Sequence, residues 1–284
     1  MRIPWFGKIA AKIVLAQFPV AHAQWRRLGL FSHGAMLDPA YAFEVFAHHY
    51  HRAQSVRAIP PGFTALEIGP GDSLLGGIVS SAHGAKTTYL VDSGDFADTS
   101  IHPYRSMLDD LHRRGLGPDG IECEDLEMVK EAFGIDYRTG GLSSLREIPD
   151  ASVDFVWSQA VLEHVRLRDF AETCRQLRRV MRDGAVASHR VDLKDHLGGG
   201  LDNLRFSERV WESPLMANSG FYTNRIRYRE MLSILEQAGF NIASTITQTW
   251  NSPPIQRARL TGQFQSLSDE ELMVSSFDVV LIPA

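Results

Sequence analysis

The chain has 284 residues, 44% hydrophobic and 22% charged, which fits a soluble globular protein of one large domain, or one domain with an appendage. A net charge of −5 argues against a nucleic-acid binder, whose footprint is basic. Two cysteines, Cys123 and Cys174, show no metal spacing and imply no disulfide framework, so a reducing, cytoplasmic setting is the default expectation.

Charge is uneven along the chain. Residues 1–60 hold seven Lys/Arg and two Asp/Glu, a net of +5, which leaves −10 for the remainder. Residues 1–59 read as helical, with breaks near Pro19, Gly29–Gly34 and Pro39. Lys8 and Lys12 lie one turn apart, with Phe6, Ile9 and Ile13 to the side. This is the pattern of a helical cap on the main domain, or of a basic amphipathic helix in peripheral contact with a membrane or a partner. The uncharged run Ile13–Trp25 is too short to span a membrane, and Ala21-His22-Ala23 mimics a signal-peptide cleavage site only weakly. Ala40–Val56 is a second helix, rich in His48, His49 and His51. Consecutive side chains diverge around a helix, so these cannot all bind one metal; one or two line a pocket and the others are solvated.

Pro60-Pro61-Gly62 opens the main domain, residues 60–284. Thr64–Ile68 is a strand, Gly69-Pro70-Gly71-Asp72 a glycine turn, and Ser73–Ser81 the helix that follows. A strand, a glycine turn and a helix start bind nucleotide-like ligands at the strand's carboxyl end. The sixth position of a dinucleotide fingerprint is Leu74 rather than glycine, which disfavours a nicotinamide dehydrogenase, and no lysine makes a P-loop. Lys86–Val91 is strand two. Asp92 follows it, 21 residues beyond Gly71, where an acid accepts from ribose hydroxyls. Ser93-Gly94-Asp95-Phe96 turns beside it. Tyr104–Arg114 and Cys123–Phe133 read as helices, and Ile135–Arg138 as strand three, followed by Gly140-Gly141-Leu142. Val153–Ser158 is strand four, and Gln159–Val165 leads into the helix Phe170–Met181, which Arg182-Asp183-Gly184 ends.

The acidic-x-Gly-x-Gly turn at Glu67, Gly69 and Gly71, Asp92, and the segment Ile148-Pro149-Asp150 to Val161-Leu162-Glu163-His164-Val165 stand in one order. Together they resemble the class I S-adenosylmethionine (SAM) dependent methyltransferases, in the type 11-like small-molecule branch. The resemblance covers about residues 60–192. It implies a Rossmann-like seven-stranded, doubly wound α/β sheet whose last strand runs antiparallel, with the N-terminal residues as a helical cap. It also implies SAM as methyl donor and S-adenosylhomocysteine as product. The cofactor set is then Glu67, Gly69, Pro70, Gly71, Asp72, Asp92, Ser93, Gly141, Leu142 and Gln159, with the turn against the methionine part of SAM. Where the family usually has an acid near the adenine amino group, this chain has Gly140–Leu142, so backbone groups of Gly141 and Leu142 take that contact. In the family the Glu163-His164 pair is often structural; as a catalyst, His164 sits near the donor.

Ala185–Val191 is strand five, and its exit holds His189, Asp192, Asp195 and His196. Groups at strand carboxyl ends face the ligand crevice. His189, Asp192, His196 and His164 are therefore the candidate catalytic residues, with histidine as base for a hydroxyl acceptor. These are also metal-ligand types, but their spacings match no recognised set and no metal is assigned. Gly198–Gly200 reads as a hinge, and about 193–228 as a lid insert in which Arg225 and Arg227 hold an acidic acceptor. Arg229–Ala238 is a helix, Asn241–Trp250 strand six, Ser268–Glu271 a capping box and Phe277–Pro283 strand seven. The expected function is methyl transfer to a small-molecule acceptor (secondary metabolite, sugar or quinone-like), with O-methylation favoured. N-methylation on the same fold and a non-catalytic methyltransferase-like scaffold are the alternatives. Oligomeric state is unreadable.

Overall fold

The computed structural model describes residues 35–117, 121 and 123–284. The basic helix around Lys8 and Lys12, with its membrane or partner contact, the run Ile13–Trp25, the Ala21–Ala23 site and the breaks at Pro19 and Gly29–Gly34 lie outside the described residues.

Helix α1 (Pro39–Val56) starts at Asp38, whose carboxylate accepts from the amides of Ala40 and Tyr41, with proline at the first helical position. Then follow β1 (Thr64–Ile68), α2 (Leu75–Ala82), β2 (Thr87–Val91), α3 (His102–Arg113), α4 (Leu126–Ala132), β3 (Ile135–Arg138), α5 (Leu142–Glu147) and β4 (Val153–Gln159). A 3₁₀ turn, Leu162–His164, leads to α6 (Leu167–Val180) and β5 (Met181–Asp192). The connection after β5 holds a 3₁₀ turn (Asp202–Arg205), α7 (Glu208–Trp211) and α8 (Pro214–Ala217). Then come α9 (Tyr228–Gln237), β6 (Phe240–Thr249), α10 (Gly262–Gln265), α11 (Asp269–Met273) and β7 (Val274–Pro283).

The strands form one sheet in the order β3-β2-β1-β4-β5-β7-β6, with β7 antiparallel to both neighbours and the other described pairs parallel. This is the Rossmann-like seven-stranded, doubly wound sheet that the resemblance implied, reversing its strand order beside β1 and β4. Two apolar layers cover it. Phe46 of α1, Leu75 and Ile78 of α2, Phe155 and Trp157 share one face; Leu66, Val156, Ala187, Phe170 of α6 and Leu235 of α9 share the other. The second set forms a separate cluster. Strands buried on both sides read as continuous apolar runs, which is why β1, β4 and β5 were legible.

Helix α1 lies across the first face and is bolted to four strands. His49 meets Gln159 of β4 and Ser188 of β5. His48 pairs with Asp278 of β7, Arg52 reaches Ser244 of β6, and the Arg57 guanidinium donates to the Asp183 and Ala185 carbonyls.

Several element ends differ from expectation, and three local features show why. Helix α2 starts at Leu75 rather than Ser73, because the glycine turn continues through Ser73, whose hydroxyl donates to the Met36 carbonyl. Arg182-Asp183-Gly184 does not end α6: Met181 is already extended and pairs with Val153, and the three residues ride out as an irregularity in β5. The capping box is half-formed. Ser268 accepts from the Glu271 amide, but Glu271 turns its carboxylate to the Arg229 amide instead.

Candidate active site

At the carboxyl ends of β1, β2, β4 and β5 a cavity of about 840 Å³ opens. Each strand end supplies one wall residue group: Glu67–Gly71 from β1, Asp92 and Ser93 from β2, Gln159–Val161 from β4 and Asp192 from β5. Gly141 and Leu142 enter at the start of α5. The sheet order puts these ends side by side, since Glu67 lies opposite Trp157 and Ile68 opposite Val91.

The turn after β1 needs glycine for two separate reasons. Gly69 adopts φ +71°, and a Cβ there would approach Val161 within 2.5 Å. Gly76, inside α2, lies so close to β1 that a Cβ would collide with Glu67 Oε2. The dinucleotide fingerprint uses its third glycine for this close helix–strand packing. Here that task has moved two residues on from Leu74. Asp92 ties the turn to its own strand end, its Oδ2 accepting from the Gly71 amide (3.0 Å) and its Oδ1 from the Ser93 amide (2.6 Å). Gly141 donates to the Asp92 carbonyl (2.7 Å) and accepts from the Leu145 amide, so its backbone is engaged on both sides. Leu142 lies next to it on the cavity wall.

Of the expected cofactor residues, all but Asp72 line the cavity. Asp72 is buried behind the turn, where its carbonyl accepts from the Asp98 amide and fixes the segment after β2.

Two buried carboxyls face the cavity, Glu67 and Glu163. Burial pushes each up to about 8, so both hold a proton at neutral pH. In each, Oε2 has no hydrogen-bond partner, while Glu163 Oε1 accepts from the Asp192 amide (3.3 Å). Ala160 between them has φ +53°, a left-handed conformation in a non-glycine residue at the cavity wall.

The catalytic candidates divide. His164, His196 and Asp192 all line the cavity, with the two imidazoles stacked 4.9 Å apart. His164 Nδ1 donates to the Tyr222 carbonyl (2.9 Å), which leaves the imidazole lone pair on Nε2. His189 is the correction. It sits fully buried on the opposite face of β5, its Nδ1 2.8 Å from Ser158 Oγ, and is absent from the cavity wall. Burial pushes it down to about 4 and keeps it neutral. The period of two along β5 turns His189 away from the side where Ser188 and Arg190 point.

The segment 193–228 also departs from expectation. Gly198–Gly200 is not an open hinge. Asp195 is buried, and its carboxylate accepts from the amides of Leu197, Gly198, Gly199 and Asp202. Arg225 and Arg227 do not face the cavity. Arg225 packs between Trp211 and Phe264 and donates to the Phe206 carbonyl. Arg227 donates to the carbonyls of Leu193, Glu271 and Val274. The residue missed as a site builder is Asn224. Its Nδ2 donates to the Leu162 and Val165 carbonyls and its amide to the Glu163 carbonyl, clamping the turn that carries Glu163 and His164. No local sequence signal marks that role. Among the described residues no cluster of ligand types could hold a metal, and no helix is long and apolar enough to cross a membrane.

Residues 81–188 match a family model described as "Methyltransferase domain". A probable S-adenosylmethionine-dependent methyltransferase of Mycolicibacterium smegmatis is 30% identical over 140 residues, covering 49% of this chain and 48% of that protein. The chain thus spans about half the length of the curated relative that it matches. Among solved structures, a SAM-dependent methyltransferase of Methanosarcina mazei aligns at TM-score 0.48 and 14% identity, over 82% of this chain and 95% of its own. One from Mesorhizobium loti aligns at 0.45 and 17%, over 82% and 96%.

Proposed function

We propose that this chain, whose residues 81–188 match a methyltransferase domain, is a class I SAM-dependent enzyme that transfers a methyl group from SAM to a hydroxyl of a small molecule and releases S-adenosylhomocysteine. The observation that supports this most is the single cavity shared by the glycine turn, Asp92 and Leu142 on one side and Asp192, His164 and His196 on the other. Its volume of about 840 Å³ falls in the range of small-molecule sites, about 300–1,000 Å³. The wall suits SAM in its chemistry, with a carboxylate at Asp92 for ribose hydroxyls.

SAM supplies an electrophilic methyl on a sulfonium. A hydroxyl acceptor forms the new C–O bond with its oxygen lone pair, the C–S bond pair stays on sulfur, and the hydroxyl proton goes to a base. His164 Nε2 can take that proton, with His196 stacked beside it and Asp192 nearby on the same wall. Alignment of the two reactants supplies most of the rate. N-methylation of an amine is the second reading, favoured by the carboxylates of Asp169 and Asp192 on the cavity wall. The acceptor is a secondary metabolite, a sugar or a quinone-like compound, and the setting is cytoplasmic. Calorimetric titration with SAM and S-adenosylhomocysteine tests the cofactor half; binding of neither sinks the enzyme reading and returns the scaffold. An acceptor screen with Asp192→Ala and His196→Ala as controls tests the other half.

A further inference from the structure

Gln159 ends β4 on the cavity wall, and its side chain is gripped from behind. Its Oε1 lies 3.0 Å from Nε2 of His49, and His49 Nδ1 lies 2.9 Å from Ser188 Oγ. His49 comes from α1, 110 residues earlier in the chain, and has no exposed surface. The proton positions follow from chemistry. An amide oxygen only accepts, so His49 Nε2 donates to it, and Nδ1 then accepts from the Ser188 hydroxyl. Burial pushes His49 down to about 3, so the ring stays neutral and keeps one donor and one acceptor.

A glutamine alone can present either its oxygen or its NH₂ to a ligand. With Oε1 committed to His49, the NH₂ is the end left for the cavity, and it has no hydrogen-bond partner among the described residues. Glu67 lies opposite Trp157, so Gln159 emerges beside Gly69 of the glycine turn.

We infer that His49 is a positioning residue: by holding Gln159 Oε1 it aims the Gln159 NH₂ at the methionine end of bound SAM, where that group donates to a carboxylate oxygen. This rests on the proposed function above. The methionine end has two charged groups. Its ammonium only donates and is a mismatch for an NH₂; its carboxylate only accepts and fits. Fixing the amide before the ligand arrives removes a rotamer cost from binding.

The test is calorimetric affinity for S-adenosylhomocysteine, which has the same methionine end, with thermal unfolding run on every variant. Gln159→Ala weakens binding about tenfold, the loss of one hydrogen bond to a charged group. Gln159→Glu, which faces the carboxylate with another, weakens it more. His49→Gln keeps a donor near Nε2, whereas His49→Asn keeps one only near Nδ1. The first stays within about twofold of wild type and the second loses about threefold or more, a loss that disappears in the Gln159→Ala background because both act through one contact. Equal effects of Gln and Asn at position 49, an undiminished His49→Asn loss in that background, or full binding by Gln159→Glu would each overturn the assignment. If His49→Asn does not fold, the two Gln159 variants and His49→Gln still decide. Absence of binding by the wild-type chain would instead remove the proposed function, and this assignment with it.

Discussion

The two sides of the cavity are built on different terms. On the cofactor side, the wall is made by strand ends whose backbone groups are already paired in the sheet. Side chains there, such as Asp92 and Gln159, remain for a turn or a ligand. On the acceptor side, residues 193–228 run irregularly, and their carbonyls and amides need partners that no ladder supplies. Asp195 and Arg225 are spent on that backbone, and Asn224 and Arg227 on tying it to the carbonyls of Leu162 and Val165 and of Glu271 and Val274. A polar side chain in a long irregular connection is thus more often its mortar than its working surface.

This contrast can be broken at Arg227. Arg227→Met leaves the carbonyls of Leu193, Glu271 and Val274 without their buried donor, and is expected to cost about 4 kcal/mol. Urea denaturation reads it, and a loss under 1 kcal/mol would mean the connection is held by its apolar contacts alone.

The next largest effect is in the pH dependence. Glu67 and Glu163 keep their protons to about 8 when folded but release them near 4.5 when unfolded. Between those values the folded state binds more protons, so stability falls as pH rises. His49 and His189 act oppositely. Folded, they stay neutral down to about 3 and about 4, while unfolded they bind protons below 6.5, so stability falls as pH drops through that window. From 4.5 to 6.5 the pairs oppose each other. From 6.5 to 8 the carboxyls act alone, and stability declines by about 1.4 kcal/mol per pH unit for each. Denaturation midpoints across that interval should show the decline, and Glu67→Gln or Glu163→Gln should each remove half of it. A flat profile would show that these carboxyls ionise more easily than their burial allows.

Asn224→Ala removes the clamp on the Leu162–His164 turn and should cost about 2 kcal/mol. It should also weaken S-adenosylhomocysteine binding, because Glu163 stands on that turn; stability loss without an affinity loss would separate the clamp from the site. Asp92→Ala sharpens the contrast from the cofactor side. It should leave stability within about 1 kcal/mol while lowering SAM affinity about tenfold. An unchanged affinity there would dismiss the ribose contact.

The legible parts were those where chemistry is local. Glu67, Gly69, Gly71 and Asp92 lie within 26 residues of one another along the chain, on strands whose apolar runs announce them. The illegible parts depend on which way a strand or loop turns. His189 and Asp192 are three apart on β5 and fall on opposite sides of it, so one is buried in the core and the other meets the cavity. Asp195 and Arg227 look like ligand groups in the sequence, since nothing local reveals the carbonyls and amides that they satisfy. The grip of His49 on Gln159 spans 110 residues and was equally out of reach: the histidine-rich helix drew attention, but nothing local said which of its histidines faces the sheet.

The position of β7 has a consequence for synthesis. It is inserted between β5 and β6, and among the described residues β6 pairs with no other strand. As the chain leaves the ribosome, β6 emerges before the only partner that can hold it, and β5 waits with one edge open until residues 274–283 arrive. Asp278 on that late strand also receives His48 of α1, so this contact between early and late segments waits for the last strand as well. Until residues 274–283 are in place, the open edges of β5 and β6 are templates for aggregation and for chaperone binding.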